Sequence, residues 1–316
     1  MPKMIVLTNG EGWVGMPTAV QMLLDKESSL KTVEEAIKQV ELSPLIKSVG
    51  FGGTPNLLRE VECDAAIMNG LTLECGSVGA LEGYAHPIVV AKAVMEKLPH
   101  VFLVGNGARR FAKEIGAEVA NLLTEEAISN YSSWLKKNNI PEDILENQDI
   151  SLLPYANFSA NNNLAKGTTI FLTKDNKGNI AGGTSTSGWG YKYPSRLGDS
   201  PTIGAGLYVD NRYGGAACTH TGEMTIRAGT ARAIVAYMKK GATVEEACHE
   251  AVDDLSALKG GFIGTIVIHA IDAVGNPYVL STEKNDTLFY CIWTDTSLRI
   301  EQKKPVMVDF NLHSAP

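Results

Sequence analysis

Apolar residues recur along the first half of the chain at two different spacings. Short apolar runs predict strands at residues 4–8, 64–70, 71–77 and 100–105, and Asn69-Gly70 predicts a tight turn between the second and the third. Apolar positions three and four residues apart predict helices at 16–24, 33–40, 87–98, 108–115 and 123–135. Thr32 is the predicted N-cap of the second helix, with Glu35 at the capping-box position.

The second half repeats the order of strands, helices and strands. Predicted strands at 168–174, 180–184, 206–209 and 216–220 precede helices at 224–239 and 244–258, and strands at 264–270, 278–281 and 287–294 follow. Strand and helix would alternate in a doubly wound sheet, whereas here each kind is grouped. The pattern therefore predicts an α+β protein with layered helices and sheets.

Residues 136–167 separate the two halves and show no sustained apolar period. They are rich in Asn and other polar residues, which predicts an exposed linker. A segment of this length is uncommon inside a compact domain, so it is expected to be disordered or functional. It leads directly to Thr168, the first residue of a predicted strand. This arrangement suits a site of chain cleavage.

Charge and composition exclude several classes of function. The formal net charge is -7 and no stripe of Lys and Arg is present, which argues against nucleic acid as a partner. The five scattered cysteines form no CxxC and the histidines no HxxxH, so we expect neither a disulfide framework nor a metal. No apolar run reaches the roughly 20 residues that cross a bilayer, and the start lacks the apolar region of a signal peptide. We therefore expect a cytoplasmic protein that binds no membrane.

Gly105 and Gly107 resemble the beginning of a dinucleotide-binding loop. In that motif the third glycine would fall on Arg110. We interpret the stretch as an ordinary strand, turn and helix, and we expect no organic cofactor.

Candidate chemistry is concentrated between residues 166 and 223, where glycines, hydroxyl residues and charged side chains occur together. A threonine becomes a nucleophile when a base takes its proton, and an N-terminal threonine carries such a base in its own α-amine. The pKa of an α-amino group is about 7.7–8.0, so it can be neutral in the cell. Thr168 would acquire this amine if the chain were cut after Gly167. Glycine is suited to the strained geometry of such a cut.

The runs GTTIFLTKDNKGNIAGGTSTSG, RLGDSP and CTHTGE resemble the Thr-nucleophile asparaginases, a family of Ntn-hydrolases. SVGFGGTP and DAAIMNG resemble its glycosylasparaginase branch, and the similarity extends from about residue 30 to about 285. The resemblance implies a four-layer αββα sandwich. It also implies one domain made of two parts, residues 1–167 and residues 168–316, with the nucleophile at the start of the second.

The resemblance also assigns roles to single residues. It implies Thr168 as the nucleophile, Thr186 as a threonine hydrogen-bonded near it, and Thr219 as the oxyanion-hole residue. For the substrate it implies Arg196 as the ligand of the α-carboxylate, Asp199 as the ligand of the α-ammonium and Thr54 as a small hydroxyl residue near the nucleophile. Without the resemblance, Arg196 and Asp199 would be read as a surface ion pair.

Three residues depart from the family pattern. His220 follows Thr219 where the family has glycine, and it is either a wall of the substrate pocket or a structural histidine. Gly167 is typical of isoaspartyl peptidases rather than glycosylasparaginases, and Lys166 replaces a usual histidine.

Thr169 is a second, weaker candidate for the nucleophile.

The sequence thus predicts an autoproteolytic amidohydrolase that releases aspartate from the side-chain amide of an asparagine derivative. Glycosylated asparagine is the first candidate substrate, and isoaspartyl dipeptides or free asparagine are the alternatives. The resemblance implies a homodimer of processed αβ heterodimers. An uncleaved, non-catalytic amino-acid-binding protein is the alternative from another class.

Overall fold

Two β-sheets stack face to face in the computed structural model, which describes residues 3–164 and 167–310. The first sheet contains β1 (Ile5–Asn9), β2 (Cys63–Asn69), β3 (Cys75–Leu81), β4 (Phe102–Val104), β5 (Thr169–Lys174), β6 (Ile180–Thr186), β11 (Tyr290–Thr294) and β12 (Glu301–Lys303). Its strand order is β12-β11-β1-β5-β6-β2-β3-β4, and its neighbours are antiparallel except β3 and β4.

The second sheet contains β7 (Leu207–Asp210), β8 (Gly214–His220), β9 (Ile266–Asp272), β10 (Pro277–Ser281) and β13 (Val306–Met307). Its order is β13-β10-β9-β8-β7. Apolar side chains from both sheets, such as Leu172 and Val267, form one buried layer between them. Because strand side chains alternate between faces, each sheet also has an outer apolar face that must be covered.

Helices cover both outer faces. The first sheet is covered by α1 (Met16–Leu24), α2 (Ser29–Glu41), α3 (Pro87–Lys97) and α4 (Gly105–Glu114). The second is covered by α6 (Gly222–Ala228), α7 (Thr230–Lys239) and α8 (Val244–Ser256). The predicted four-layer αββα sandwich is therefore confirmed. Among the helices of the described residues, none is long and apolar enough to cross a membrane.

Turns account for several differences from the predicted elements. The strand predicted from residue 71 begins at Cys75, because a turn with Leu73 at φ +63° intervenes. The helix predicted over 224–239 is divided into α6 and α7 at Gly229, whose φ of +62° ends a helical turn. Ser28, rather than Thr32, caps α2 by accepting a hydrogen bond from the backbone N–H of Lys31.

The predicted linker over 136–167 is exposed at many positions, as expected, but it also contains local structure and buried side chains. Following α5 (Glu125–Lys137), it forms two 3-10 helices, Glu142–Leu145 and Leu153–Ser159. Ile140 and Ile144 are buried, and Trp134 stacks on Tyr191 with 4.0 Å between ring centroids. The apolar residues of the segment are irregularly spaced, so they pack around aromatic residues without producing a helical or strand period.

Removal of the Trp134 ring should loosen this segment. The ring is partly buried, so its loss should cost less than the roughly 3–5 kcal/mol of a fully buried aromatic side chain. In Trp134→Ala we therefore expect chymotrypsin to cleave within residues 138–164 about tenfold faster. The matched control is Leu298→Ala, which removes an exposed side chain. Equal cleavage rates in the two variants would contradict the packing described here.

Candidate active site

The pairing of β5 with β6 brings Gly167 and Thr186 together. Thr169 is opposite Ser185, so the residues just before β5 lie beside the end of β6. The hydroxyl of Thr186 donates to the carbonyl oxygen of Gly167 at 2.6 Å. The backbone N–H of Gly188 donates to the same hydroxyl at 2.9 Å, which leaves its proton directed at the Gly167 carbonyl. The peptide bond predicted to be cut is thus hydrogen-bonded through its oxygen.

Only glycine fits at position 167, because of the backbone conformation there and the neighbouring side chain. Its φ is +94°, a region that favours glycine. A Cβ at this position would lie 1.9 Å from the Cβ of Ser48. Ser48 is fixed in turn, because its carbonyl accepts from the N–H of Ser187 at 2.8 Å. Any larger residue at this position would therefore require Ser48 to move.

Thr54 lines the same side of the site. Together with Ser48 and Gly167 it borders an open cavity of about 390 Å³. Its hydroxyl donates to the carbonyl of Lys47 at 3.3 Å. Lys166, the third departure from the family pattern, lies outside the described residues.

Thr168 is buried, and two residues that the sequence did not single out hold it. Its hydroxyl lies 3.2 Å from the hydroxyl of Ser200, and its carbonyl accepts from the side-chain amide of Asn9 at 2.5 Å. Asn9 also accepts from the N–H of Ile170, and Thr184 donates to the carbonyl of Ser200 at 2.6 Å. Ser200 directly follows Asp199 in the RLGDSP run, so its position in that run could have indicated it. No sequence pattern could have indicated Asn9, because it lies 159 residues before Thr168.

Arg196 pairs with Glu223 rather than with Asp199, so the interpretation as an Arg196–Asp199 surface ion pair is wrong. Its Nε and Nη2 donate to the two carboxylate oxygens of Glu223 at 2.8 and 2.6 Å. The guanidinium carbon lies 4.3 Å from the ring centroid of Trp189, in a cation–π contact. Glu223 and the ring thus fix the direction of the guanidinium.

Asp199 is almost fully buried close to this arginine. Its carboxylate accepts a hydrogen bond from Thr225 at 2.8 Å. Burial raises the pKa of Asp199 to about 6, although the Thr225 hydroxyl and the Arg196 charge both oppose the rise. Gly222 allows a close approach, since a Cβ there would lie 2.6 Å from a carboxylate oxygen of Asp199.

Thr219 and His220 end β8 in a chain of hydrogen bonds. Thr219 is buried, and its hydroxyl lies 2.9 Å from Nδ1 of His220. The other ring nitrogen, Nε2, lies 3.0 Å from the carboxylate of Glu283. These residues border a cavity of about 100 Å³. His220 therefore lines this cavity with both of its ring nitrogens hydrogen-bonded, and its place in the wall of the substrate pocket stays a prediction.

Within residues 3–164 and 167–310, one group of acidic side chains is close enough together to hold a metal ion, Glu60, Glu62 and Glu82. Glu62 already accepts from the N–H of Ser195 and pairs with the buried Lys192. Nothing in this arrangement points to a bound cation.

Comparison with known proteins gives a consistent result. The family model described as Asparaginase matches residues 16–291. An N(4)-(beta-N-acetylglucosaminyl)-L-asparaginase of Elizabethkingia miricola is 40% identical over 226 residues, which cover 71% of this chain and 61% of that protein. An isoaspartyl peptidase of Escherichia coli is 35% identical over 260 residues, 82% of this chain and 77% of that protein. A plant-type L-asparaginase of Pyrococcus horikoshii is 37% identical over 255 residues, 80% of each chain.

The hydrogen bond from Thr225 to Asp199 can be tested directly. Thr225→Val removes a donor to the ionised carboxylate, so the pKa of Asp199 should rise further above about 6. The loss should cost about 1.5–3 kcal/mol of unfolding free energy at pH 8. At pH 5 the cost should be smaller, because the carboxyl is then already neutral in the folded protein. Carboxyl NMR titration and urea unfolding measure both effects, and Thr225→Ser, which keeps the hydroxyl, is the control. An unchanged titration in the valine variant would contradict this account.

Proposed function

The chain belongs to the asparaginase family, and on that premise we propose that it is an amidohydrolase whose nucleophile, Thr168, is released by cleavage after Gly167. The observation that carries the proposal is the 2.6 Å hydrogen bond from Thr186 to the carbonyl oxygen of Gly167. A donor at this oxygen stabilises the negative charge that forms there when the carbonyl carbon is attacked.

Self-cleavage would proceed by an N-to-O acyl shift. The Thr168 hydroxyl oxygen attacks the carbonyl carbon of Gly167, and the C–N bond breaks as the departing nitrogen takes up the proton. The resulting ester between Gly167 and Thr168 is then hydrolysed by water. The products are a carboxylate on Gly167 and a threonine that carries both a free hydroxyl and a free α-amine.

The two chains would remain together after this cut. β1, from the first part, is hydrogen-bonded between β5 and β11 of the second part, and β6 of the second part pairs with β2 of the first. Separation would break several strand pairs and expose the apolar layer between the sheets. The homodimer of such heterodimers stays a proposal that follows from the family resemblance.

Amide hydrolysis would then use the new α-amine as the base. The amine takes the proton of the Thr168 hydroxyl, whose oxygen attacks the side-chain amide carbon of the substrate. Thr219 is proposed to stabilise the oxyanion that forms. When the tetrahedral intermediate breaks down, the substrate nitrogen takes up a proton and leaves as an amine. The aspartyl group then remains as an ester on Thr168, and water hydrolyses this ester to release aspartate.

Arg196 and Asp199 would bind the two charges of the amino-acid head group. Glu223 occupies the Nε and Nη2 edge of the guanidinium. A guanidinium can bind a second carboxylate through the edge formed by Nη1 and Nη2, which would receive the substrate α-carboxylate. The buried carboxylate of Asp199 would receive the α-ammonium.

Glycosylated asparagine is the first proposed substrate, in line with the name of the Elizabethkingia relative. Isoaspartyl dipeptides are the second. Gly167 favours them, because it is typical of isoaspartyl peptidases and no larger residue fits beside Ser48. Free asparagine is the third. Hydrolysis rates on the three substrates decide among them, with Arg196→Ala as a control that should lose turnover on each.

If the protein is instead a non-catalytic amino-acid-binding protein, its chain should stay intact. It would keep the Arg196 and Asp199 head-group site but would never cut after Gly167. A buried backbone carbonyl is hydrogen-bonded in most folded proteins, so the two proposals are separated by whether the chain is cut or stays intact after incubation.

Thr186→Val should slow self-cleavage. Loss of one oxyanion donor costs about 10²–10³ in rate, and valine otherwise preserves the shape of the side chain. The fraction of cut chain against time, measured by mass spectrometry, checks this. Thr186→Ser should cut at a rate close to that of the wild type. Cleavage of the valine variant at the wild-type rate would contradict the assignment of Thr186 as the donor to the Gly167 oxyanion.

Binding of L-aspartate to the processed enzyme should weaken as the pH falls below about 6, the pKa of Asp199. Below this pH the carboxyl is neutral in the folded protein and no longer attracts the ammonium group. Affinity should fall by about tenfold for each further pH unit, as expected of a single ionisation. Calorimetry at several pH values measures this, with succinate, which lacks the ammonium, as the control ligand. If the affinity for succinate falls by the same factor at acid pH, protonation of Asp199 is not the cause of the fall.

A further inference from the structure

His220 has an unusual backbone conformation at the end of β8. Its φ is +87°, a region that non-glycine residues avoid. Two contacts of the backbone hold it there: the pairing of His220 with Ile266 in β9 and a hydrogen bond from Trp189 Nε1 to the His220 carbonyl at 3.2 Å. Strain of this kind persists only where the surroundings enforce it, and it often accompanies function.

The imidazole of His220 connects two groups of different character. Nδ1 lies 2.9 Å from the hydroxyl of Thr219, and Nε2 lies 3.0 Å from the carboxylate of Glu283. Glu283 is held in place because its N–H donates to the hydroxyl of Ser281 at 2.9 Å. The side chains of His220 and Glu283 are about nine-tenths buried, at 9% and 13% exposure. Both contacts of the ring are thus made away from bulk water.

The proton on Nδ1 decides what the Thr219 hydroxyl can do. An ionised carboxylate only accepts, so Nε2 must donate to Glu283. In neutral His220, Nδ1 then has no proton and accepts the hydroxyl proton of Thr219. In protonated His220, Nδ1 donates to the Thr219 oxygen, and the hydroxyl proton is free to point elsewhere.

We propose that His220 and Glu283 are positioning residues that control whether the Thr219 hydroxyl can donate to the oxyanion. Protonated His220 turns the hydroxyl proton toward the substrate, whereas neutral His220 takes that proton as its own hydrogen bond. This inference rests on the proposed amidohydrolase activity.

Other titratable groups face the same cavity. His269 on β9, Glu11 on the segment after β1 and Tyr290 on β11 line it together with His220 and Glu283. Burial lowers the pKa of His269 to about 3, so it is neutral throughout the range in which the enzyme would work. A loss of activity at alkaline pH that depends on position 220 therefore cannot come from this second imidazole.

The test compares pH profiles of kcat/KM for wild type, His220→Gly and Glu283→Gln, with an isoaspartyl dipeptide and an N4-substituted asparagine as substrates. For the wild type we expect an alkaline fall of up to about a hundredfold, as for loss of an oxyanion donor. In His220→Gly this fall should be absent, because the hydroxyl has no imidazole to donate to. In Glu283→Gln the fall should be smaller, because an amide can donate to Nε2 and so allow neutral His220 to carry its proton on Nδ1.

A matched control removes similar backbone strain far from the site. Leu73 also has a positive φ, of +63°, in the turn before β3. Leu73→Gly should keep the wild-type profile. An alkaline fall that persists in His220→Gly, or that disappears in Leu73→Gly, would overturn the proposal.

Nitrogen NMR of the histidine rings separates this proposal from the proposed function. The His220 signals, assigned by their loss in His220→Gly, should show protons on both nitrogens at low pH and on Nε2 alone at high pH. A ring that keeps its proton on Nδ1 throughout refutes the proposal even if amides are hydrolysed. If none of the amides is hydrolysed, the proposed function fails, whereas the NMR titration still decides the hydrogen-bond arrangement.

Discussion

The antiparallel register of β5 and β6 is the constraint on which the site depends. Thr169 is opposite Ser185, and this register sets Gly167 and Thr168 beside Thr186. A slip by one residue would turn every side chain of β5 to the opposite face of the sheet. Apolar side chains prevent it from both sides, because Phe171 packs under the helices and Leu172 packs against the second sheet. The same packing that stabilises the sandwich therefore aligns the groups that are proposed to react.

The polar groups around this register are held by short local contacts in a largely buried setting. Ser48 fills the space beside Gly167, Glu223 orients Arg196, and Thr225 hydrogen-bonds the buried Asp199. Each contact joins a residue of the proposed chemistry to a partner that has no reacting role of its own. Because of these partners, the folded chain can bury Asp199, whose pKa is raised to about 6, and still provide its carboxylate with a hydrogen bond.

Local patterns in the sequence were sufficient to predict most strands and helices and the layered architecture, and they indicated the stretch in which the proposed chemistry lies. They could not reveal partners brought together by the fold. Glu223 follows Arg196 by 27 residues, and Glu283 follows His220 by 63. The packing of residues 138–164 was missed for a related reason: its apolar side chains contact Tyr191 and Trp134 rather than one another at a regular spacing.

Intact mass together with N-terminal sequencing of the purified, incubated protein tests the central claim most directly. We expect two fragments that stay associated, with the second beginning Thr-Thr-Ile-Phe at Thr168. A second fragment that begins at Thr169 would displace the nucleophile from the position opposite Thr186. A chain that remains uncut would contradict the claim that Thr168 is an N-terminal nucleophile.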